Sequence, residues 1–365
     1  MKSVLIVYNL MGPTTIVRGY QFAAAFADDP DFSARYVART PHWLQWALAR
    51  AQNRWWATPL VWILKALEPA LTRWTENRIL KMAPGFDVVL LLCARSWPLH
   101  EALWKAGARI VMDFSDAMWL PHFRVGYERL DDMFRCSHAI SCENSHLFEY
   151  ARQRHHNARL TPDAPQIEAF DEIRGDVVKP AEPIIIGWLG GVWAAENLYS
   201  IFEPLEALFA RHDNIHLRIV GASLQKLPRF EHVRFSCKTG YTNTEMLEEA
   251  LRMDIGLFPL FRTEDSQARG ILKAKIYMSA GAVAVCQDWG EAPALIRHRE
   301  NGVVANTAED WLRELEWLIE NPLERKAIAA RGLETVRLQF SRQTCFERLK
   351  AVFESVDPLQ GCLEN

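Results

Sequence analysis

Short, nearly unbroken apolar runs recur along this chain, each ending in a loop that leads into a helix-like stretch. Val4-Leu-Ile-Val-Tyr8, Phe86-Asp-Val-Val-Leu-Leu-Leu92 and Arg109-Ile-Val-Met-Asp113 lie in the first half; Ile184-Ile-Ile-Gly-Trp-Leu-Gly190-Gly191, Ile215-His-Leu-Arg-Ile-Val-Gly221 and the run after Gly281 lie in the second. Runs of this length without polar alternation are those of strands covered on both faces, as in parallel sheets. The alternation of strand, loop and helix predicts an α/β chain with doubly wound sheets. With 365 residues the chain is long for one core and natural for two domains.

Composition narrows the function classes. A net charge of −3 gives no bulk basic field for nucleic acid. The seven cysteines are scattered without a CxxC pair, which predicts reduced thiols in a cytoplasmic protein and no metal site. The N-terminal apolar run is too short for a signal peptide, and no run reaches the roughly 18 residues of a membrane span. The loop after the first strand contains Gly12-Pro13 and leads to a helix expected over residues 16–26. Only Gly12 and Gly19 are available there, so the GxGxxG fingerprint of a dinucleotide site is missing.

Tryptophan is over-represented, with 14 copies, and six of them (Trp43, Trp46, Trp55, Trp56, Trp62, Trp74) crowd into residues 43–74 beside Arg50, Arg54, Lys65, Arg73, Arg78 and Lys81. Two readings stand: the rings pack helices onto the N-terminal sheet, or they form a peripheral membrane surface. Pro59 divides the stretch into two or more helices. Asp113 and Asp116 follow a strand's carboxyl end, where ligands approach open α/β sheets. They either cap the loop or orient a hydroxyl; DxxD is not a metal-binding DxD.

The most informative string is Lys273-Ala-Lys-Ile-Tyr-Met-Ser-Ala-Gly-Ala-Val-Ala-Val-Cys-Gln-Asp288, followed by Gly290-Glu291. It reads as a helix ending at Gly281, where φ > 0 favours glycine, and then a buried strand. The string resembles the donor-binding segment of GT-B glycosyltransferases, specifically glycosyltransferase family 4, and the resemblance extends upstream through Asp254-Ile-Gly-Leu-Phe-Pro-Leu260 and downstream to Asn301-Gly302.

The resemblance implies two Rossmann-like domains facing each other across a cleft. The expected division is an N-terminal acceptor-side domain over residues 1–168, a linker over 169–182, a nucleotide-sugar domain over 183–345, and a last helix over 346–365 returning to the first domain. It implies a retaining transfer from a UDP- or GDP-linked sugar to a glycan or lipid-linked acceptor, in polysaccharide or glycolipid synthesis, at a cytoplasmic or peripheral inner-membrane location. No further cofactor, metal or nucleic acid is implied.

The residues carried over are Gly190, Gly191, Gly221, Pro259, Glu264, Gly270, Ile271, Tyr277 and Glu291 for the donor, and Gly12, Arg18 and Asp113 on the acceptor side. Lys273, Arg269 and Asp116 are the expected catalytic set. Arg269 and Lys273 are four residues apart, so on one helix they would share a face and clamp a diphosphate.

Two departures stand out. Val192-Trp-Ala-Ala-Glu196 replaces the Arg and Lys that many relatives place after this strand, and Ile276 and Ala268 stand where the family's Glu-x7-Glu pair falls. Glu264, Asp265 or Glu291 are the available substitutes. A catalytically degenerate GT-B module and a nucleotide-sugar epimerase are therefore carried as rival readings.

Overall fold

The computed structural model describes residues 1–9, 13–51, 58–94, 96–121 and 128–356. Gly12, Arg54, Trp55 and Trp56, and the side chains of Trp46 and Arg50, lie outside this description. The chain divides into two compact units, Met1–Pro162 with Cys345–Asn365, and Asp163–Thr344.

Each unit contains a six-stranded parallel sheet. In the first, β1 (Lys2–Tyr8), β2 (Phe32–Ala38), β3 (Val88–Leu92), β4 (Ile110–Phe114), β5 (Ala139–Cys142) and β6 (Ala158–Leu160) lie in the order β2-β1-β3-β4-β5-β6. In the second, β7 (Ile184–Leu189), β8 (Ile215–Val220), β9 (Phe235–Lys238), β10 (Ile255–Phe258), β11 (Val283–Gln287) and β12 (Val303–Ala305) lie in the order β9-β8-β7-β10-β11-β12. That is the doubly wound order, with a reversal between β7 and β10, and crevices at such reversals are where open α/β sheets bind ligands. The apolar runs are buried as their composition requires: Val4, Leu5, Ile6 and Val7 are fully covered, as are Val283, Ala284 and Val285.

The second unit has a core on each face of its sheet. Ile186, Trp188, Leu217 and Val285 pack on one side, and Leu189, Val220, Tyr277 and Cys286 on the other, following the two-residue period of a strand. The helix Leu272–Ala280 ends at Gly281 in the left-handed region, φ 79°. Its last carbonyls, of Ser279 and Ala280, accept from the Arg174 guanidinium at 2.6 and 3.0 Å, a cation placed where the helix dipole favours it.

Several boundaries differ from the sequence reading. The helix expected over 16–26 is two, Pro13–Arg18 and Ala23–Asp28. Gly19 divides them, and the Leu92 side chain packs 2.5 Å from where a Gly19 Cβ would stand. The stretch expected as a helix from Glu196 to Arg211 begins as a 3-10 helix, Val192–Ile201, and turns α-helical only over Phe202–Arg211. The segment expected as a linker starts inside a helix, Ile167–Ile173, whose Phe170 is fully buried in the second unit.

In the first unit the helix Arg342–Glu354 contributes Phe346 and Phe353, which contact Phe22, Phe26 and Phe32 ring to ring. Its Lys350 ammonium bonds Asp29 at 2.7 Å.

The tryptophan-rich stretch forms the helices His42–Ala51 and Thr58–Met82. Trp43, Trp62 and Trp74 are 54%, 71% and 56% exposed, so these three rings do not pack onto the sheet. No described helix is long and apolar enough to cross a membrane.

Candidate active site

The glycines after β7 and β8 bring two loops into contact at the carboxyl end of the second sheet. Gly221 has φ 93°, and a Cβ there would stand 1.9 Å from the Gly190 carbonyl oxygen. Both the backbone conformation and the close approach therefore require glycine. Gly190 donates to the Val220 carbonyl at 3.0 Å, and Gly221 to that of Lys238 at 2.7 Å. Exposed Gly191 then caps the start of the 3-10 helix Val192–Ile201.

Tyr277 holds this loop against the reversal point from beneath. It is fully buried; its hydroxyl accepts from Leu189 N–H at 2.8 Å and donates to the Leu257 carbonyl at 3.1 Å, tying the end of β7 to β10. The sequence reading places Tyr277 among donor contacts; its side chain has no exposed surface, and its two hydrogen bonds position the loop. Tyr277→Phe is expected to lower stability by about 1–3 kcal/mol, because it leaves the Leu189 N–H unpaired, and urea unfolding measures this.

One turn before Tyr277 stands Lys273, the second residue of the helix Leu272–Ala280. Its ammonium would meet a Gly190 Cβ at 2.9 Å and lies 5.0 Å from the Trp188 ring centre and 5.9 Å from that of Phe258. The residue keeps some exposed surface, but the amine itself is enclosed. Among the described residues it makes no hydrogen bond and no ion pair. Burial, and secondarily the charge of Arg269, bring its pKa down from 10.5 to about 8. A cation in the first turn of a helix also opposes the helix dipole. All three features oppose a charged amine there, and an anion bound against it would relieve all three.

Arg269 does not share that helix. It stands in the turn between Glu264–Gln267 and Leu272–Ala280, and its guanidinium bonds Asp265 at 2.5 and 3.0 Å. The expected two-cation helical face is therefore replaced by one enclosed lysine and one arginine already held by a carboxylate. The first helix ends at Gln267 and the second starts at Leu272, so the four-residue spacing carries no common face.

Ile271 and Pro259 are buried, and the side chain of Ile271 belongs to the core. Gly270 is half-buried, Glu264 is exposed in the first turn of its helix, and Glu291 is half-buried beside Gly290, which has φ 61°. Ile276 and Ala268, at the positions of the family's acidic pair, are 9% and 1% exposed. Trp188 and Phe258 wall Lys273, and the ring of Tyr241 crowds Gly221. The sequence reading leaves these aromatics unassigned, because as strand or loop residues they look like ordinary core.

In the first unit, Arg18 and Asp113 are buried against each other. The guanidinium bonds the carboxylate at 2.5 and 2.7 Å, and also reaches the Thr161 carbonyl at 2.9 Å and the Thr161 and Ser141 hydroxyls. The pair ties the helix Pro13–Arg18 to the carboxyl ends of β4, β5 and the segment after β6. With 6% and 2% exposure these side chains serve the scaffold, not an acceptor surface as expected. Asp116, half-buried, lies past β4 in a tight turn whose carbonyl accepts from Met118 N–H at 2.7 Å.

The paired Rossmann-like units define a protein of the GT-B fold. Residues 201–352 match the family described as glycosyl transferase-like. HepE of Anabaena, solved with UDP and glucose, is similar over 97% of this chain and 100% of that one, with a TM-score of 0.68 and 12% identity. A glycosyltransferase from Rickettsia africae is similar over 97% and 98%, with a TM-score of 0.67 and 13% identity. A UDP-forming α,α-trehalose-phosphate synthase from Burkholderia xenovorans is similar over 98% and 99%, at 0.64 and 14%. At these identities the likenesses establish the fold. No curated protein matches the chain in sequence.

Proposed function

We propose that this protein transfers a sugar from a UDP-linked donor to a hydroxyl acceptor, with retention at the anomeric carbon. The enclosed, unpartnered Lys273 ammonium beside the Gly190 loop carries the reading, because a departing diphosphate is the anion such a place suits. The UDP and UDP-glucose held by HepE support the choice of base. In the reaction the bond from the anomeric carbon to the β-phosphate oxygen breaks and a bond to the acceptor oxygen forms. The acceptor's proton passes to the departing phosphate, so no carboxylate base is needed. Lys273 and the backbone N–H groups near Gly191 stabilise the charge that develops on the diphosphate.

The reading extends to a peripheral location on the inner membrane and a role in surface polysaccharide or glycolipid synthesis. Exposed Trp62, Ile63, Leu67 and Trp74 alternate with Lys65 and Arg73 on the helix Thr58–Met82, a pattern suited to an anionic bilayer surface.

Calorimetric titration of UDP, GDP, TDP and CMP into wild-type protein and Lys273→Ala tests the donor. UDP is expected to bind in the micromolar range and to lose that binding in the variant; NMR of the product's anomeric configuration then tests retention. A folded sample that binds none of the four overturns the reading in favour of a non-enzymatic GT-B module, which the apolar Ile276 and Ala268 would suit.

A further inference from the structure

A second basic site lies within the first unit. A cavity of about 340 Å³ opens beside the carboxyl ends of β1 and β2, lined by Tyr8, Arg35, His42, Trp74 and Arg78 among others. That volume falls in the roughly 300–1,000 Å³ range of small-molecule sites. None of its lining residues is acidic.

Its cations are uncommitted. Neighbouring Arg39 is held by Glu76 at 2.6 Å, whereas neither Arg35 nor Arg78 has a hydrogen bond or ion pair among the described residues. Arg78 is steadied by the Trp74 ring, one helical turn away, with its guanidinium carbon 4.8 Å from the ring centre. That stacking leaves the guanidinium N–H groups available for a planar, multidentate anion contact.

The Tyr8 hydroxyl lies 2.5 Å from His42 Nε2. Burial, and then the nearby Tyr20, raise its pKa, so it remains a protonated donor. Where Nε2 accepts from this hydroxyl, Nδ1 is the ring's donor. Two free guanidinium groups, an imidazole and an exposed indole surround a space with no counter-charge.

We infer that this cavity binds a phosphate-bearing ligand, with Arg35 and Arg78 taking the phosphate oxygens and Trp74 covering the attached group. Its assignment as the subsite for a phosphorylated acceptor rests on the proposed function; the anion site itself does not. A soluble sugar phosphate and a lipid-linked phosphate share this chemistry. The location of Trp74 on the helix that also exposes Trp62 and Leu67 makes both sources testable on one surface.

The test uses the full chain as wild type, Lys273→Ala, the double variant Arg35→Gln/Arg78→Gln, and Lys81→Gln as a basic control on the same helix outside the cavity. Probes are glucose 1-phosphate, pyrophosphate, and phosphatidylcholine vesicles with or without phosphatidic acid. At least one phosphate probe is expected to bind Lys273→Ala as it binds wild type, to bind Lys81→Gln nearly as well, and to bind the double variant at least about tenfold more weakly. UDP affinity stays unchanged in the double variant.

Loss confined to phosphatidic acid vesicles identifies a lipid phosphate, and loss confined to glucose 1-phosphate identifies a soluble one. Equal binding of every phosphate probe by wild type and double variant, or no binding at all, overturns the site. Failure of UDP to bind while the cavity still takes phosphate would instead count against the proposed function alone.

Discussion

Lys273→Ala is expected to reduce sugar transfer by about two to three orders of magnitude, the effect typical of removing one preorganised charge-stabilising group. The ammonium lies against the Gly190 loop and, among the described residues, has no carboxylate holding it, whereas Arg269 is bound to Asp265. With the charge gone, the aromatic walls of Trp188 and Phe258 offer a departing diphosphate no compensation.

Two further readouts separate this from simple damage. With a pKa near 8, the empty site loses its charge as pH rises, so UDP affinity should fall about tenfold between pH 7 and pH 9. Lys273→Ala, which lacks the titrating amine, should show no such pH-dependent binding. Stability should move the other way. A lysine whose folded pKa is about 8 and whose unfolded pKa is 10.5 is protonated more in the unfolded chain between those values, so its contribution to stability rises with pH across that window and is least favourable below it. Lys273→Met should therefore raise the unfolding free energy at pH 7, by about 1–3 kcal/mol, while abolishing nucleotide binding. A variant that is destabilised at pH 7 would contradict the account of an enclosed charge awaiting an anion.

The second large effect falls on the first unit. Removing one member of the Arg18–Asp113 pair leaves its partner charged and buried, which costs about 3–5 kcal/mol. Asp113→Ala should show this in urea unfolding. The Arg18 guanidinium would then keep only the Thr161 carbonyl and the hydroxyls of Ser141 and Thr161 among the contacts described above. Replacing both residues by Met should restore much of the loss, since the charges vanish together. If the single and double variants are equally unstable, packing at this position matters more than charge. UDP binding should survive in the folded fraction of each variant.

Much of this architecture was legible in the chain because buried parallel strands must be almost wholly apolar. The runs at Val4 and Ile184 could be little else, and Gly281 marked a helix end through the one backbone conformation it permits. The string around Tyr277-Met278 carried the family resemblance. Finer placement was less accessible, because it depends on where a helix starts. Arg269 and Lys273 suggested one face only so long as Gly270 was taken as helical. Tyr277 suggested a ligand contact because nothing in its neighbours reveals that both strands it bridges lie beneath the loop. The Arg35–Arg78 cavity was invisible for another reason. Its walls come from two strands and two helices spread between Tyr8 and Met82, so no local pattern announces it.

The helix Arg342–Glu354 has a consequence for the order in which this protein can be made. The second unit is one continuous segment, Asp163–Thr344, whereas the first is closed by residues from Cys345 onward. A ribosome therefore releases everything the second unit needs before the N-terminal sheet receives Phe346 and Phe353, the rings that cover Phe26 and Phe32. The half that is translated first is completed last. Until then its apolar face is open to chaperones or to other nascent chains, so a stop codon a few residues before Phe346 would spare the second half and cripple the first.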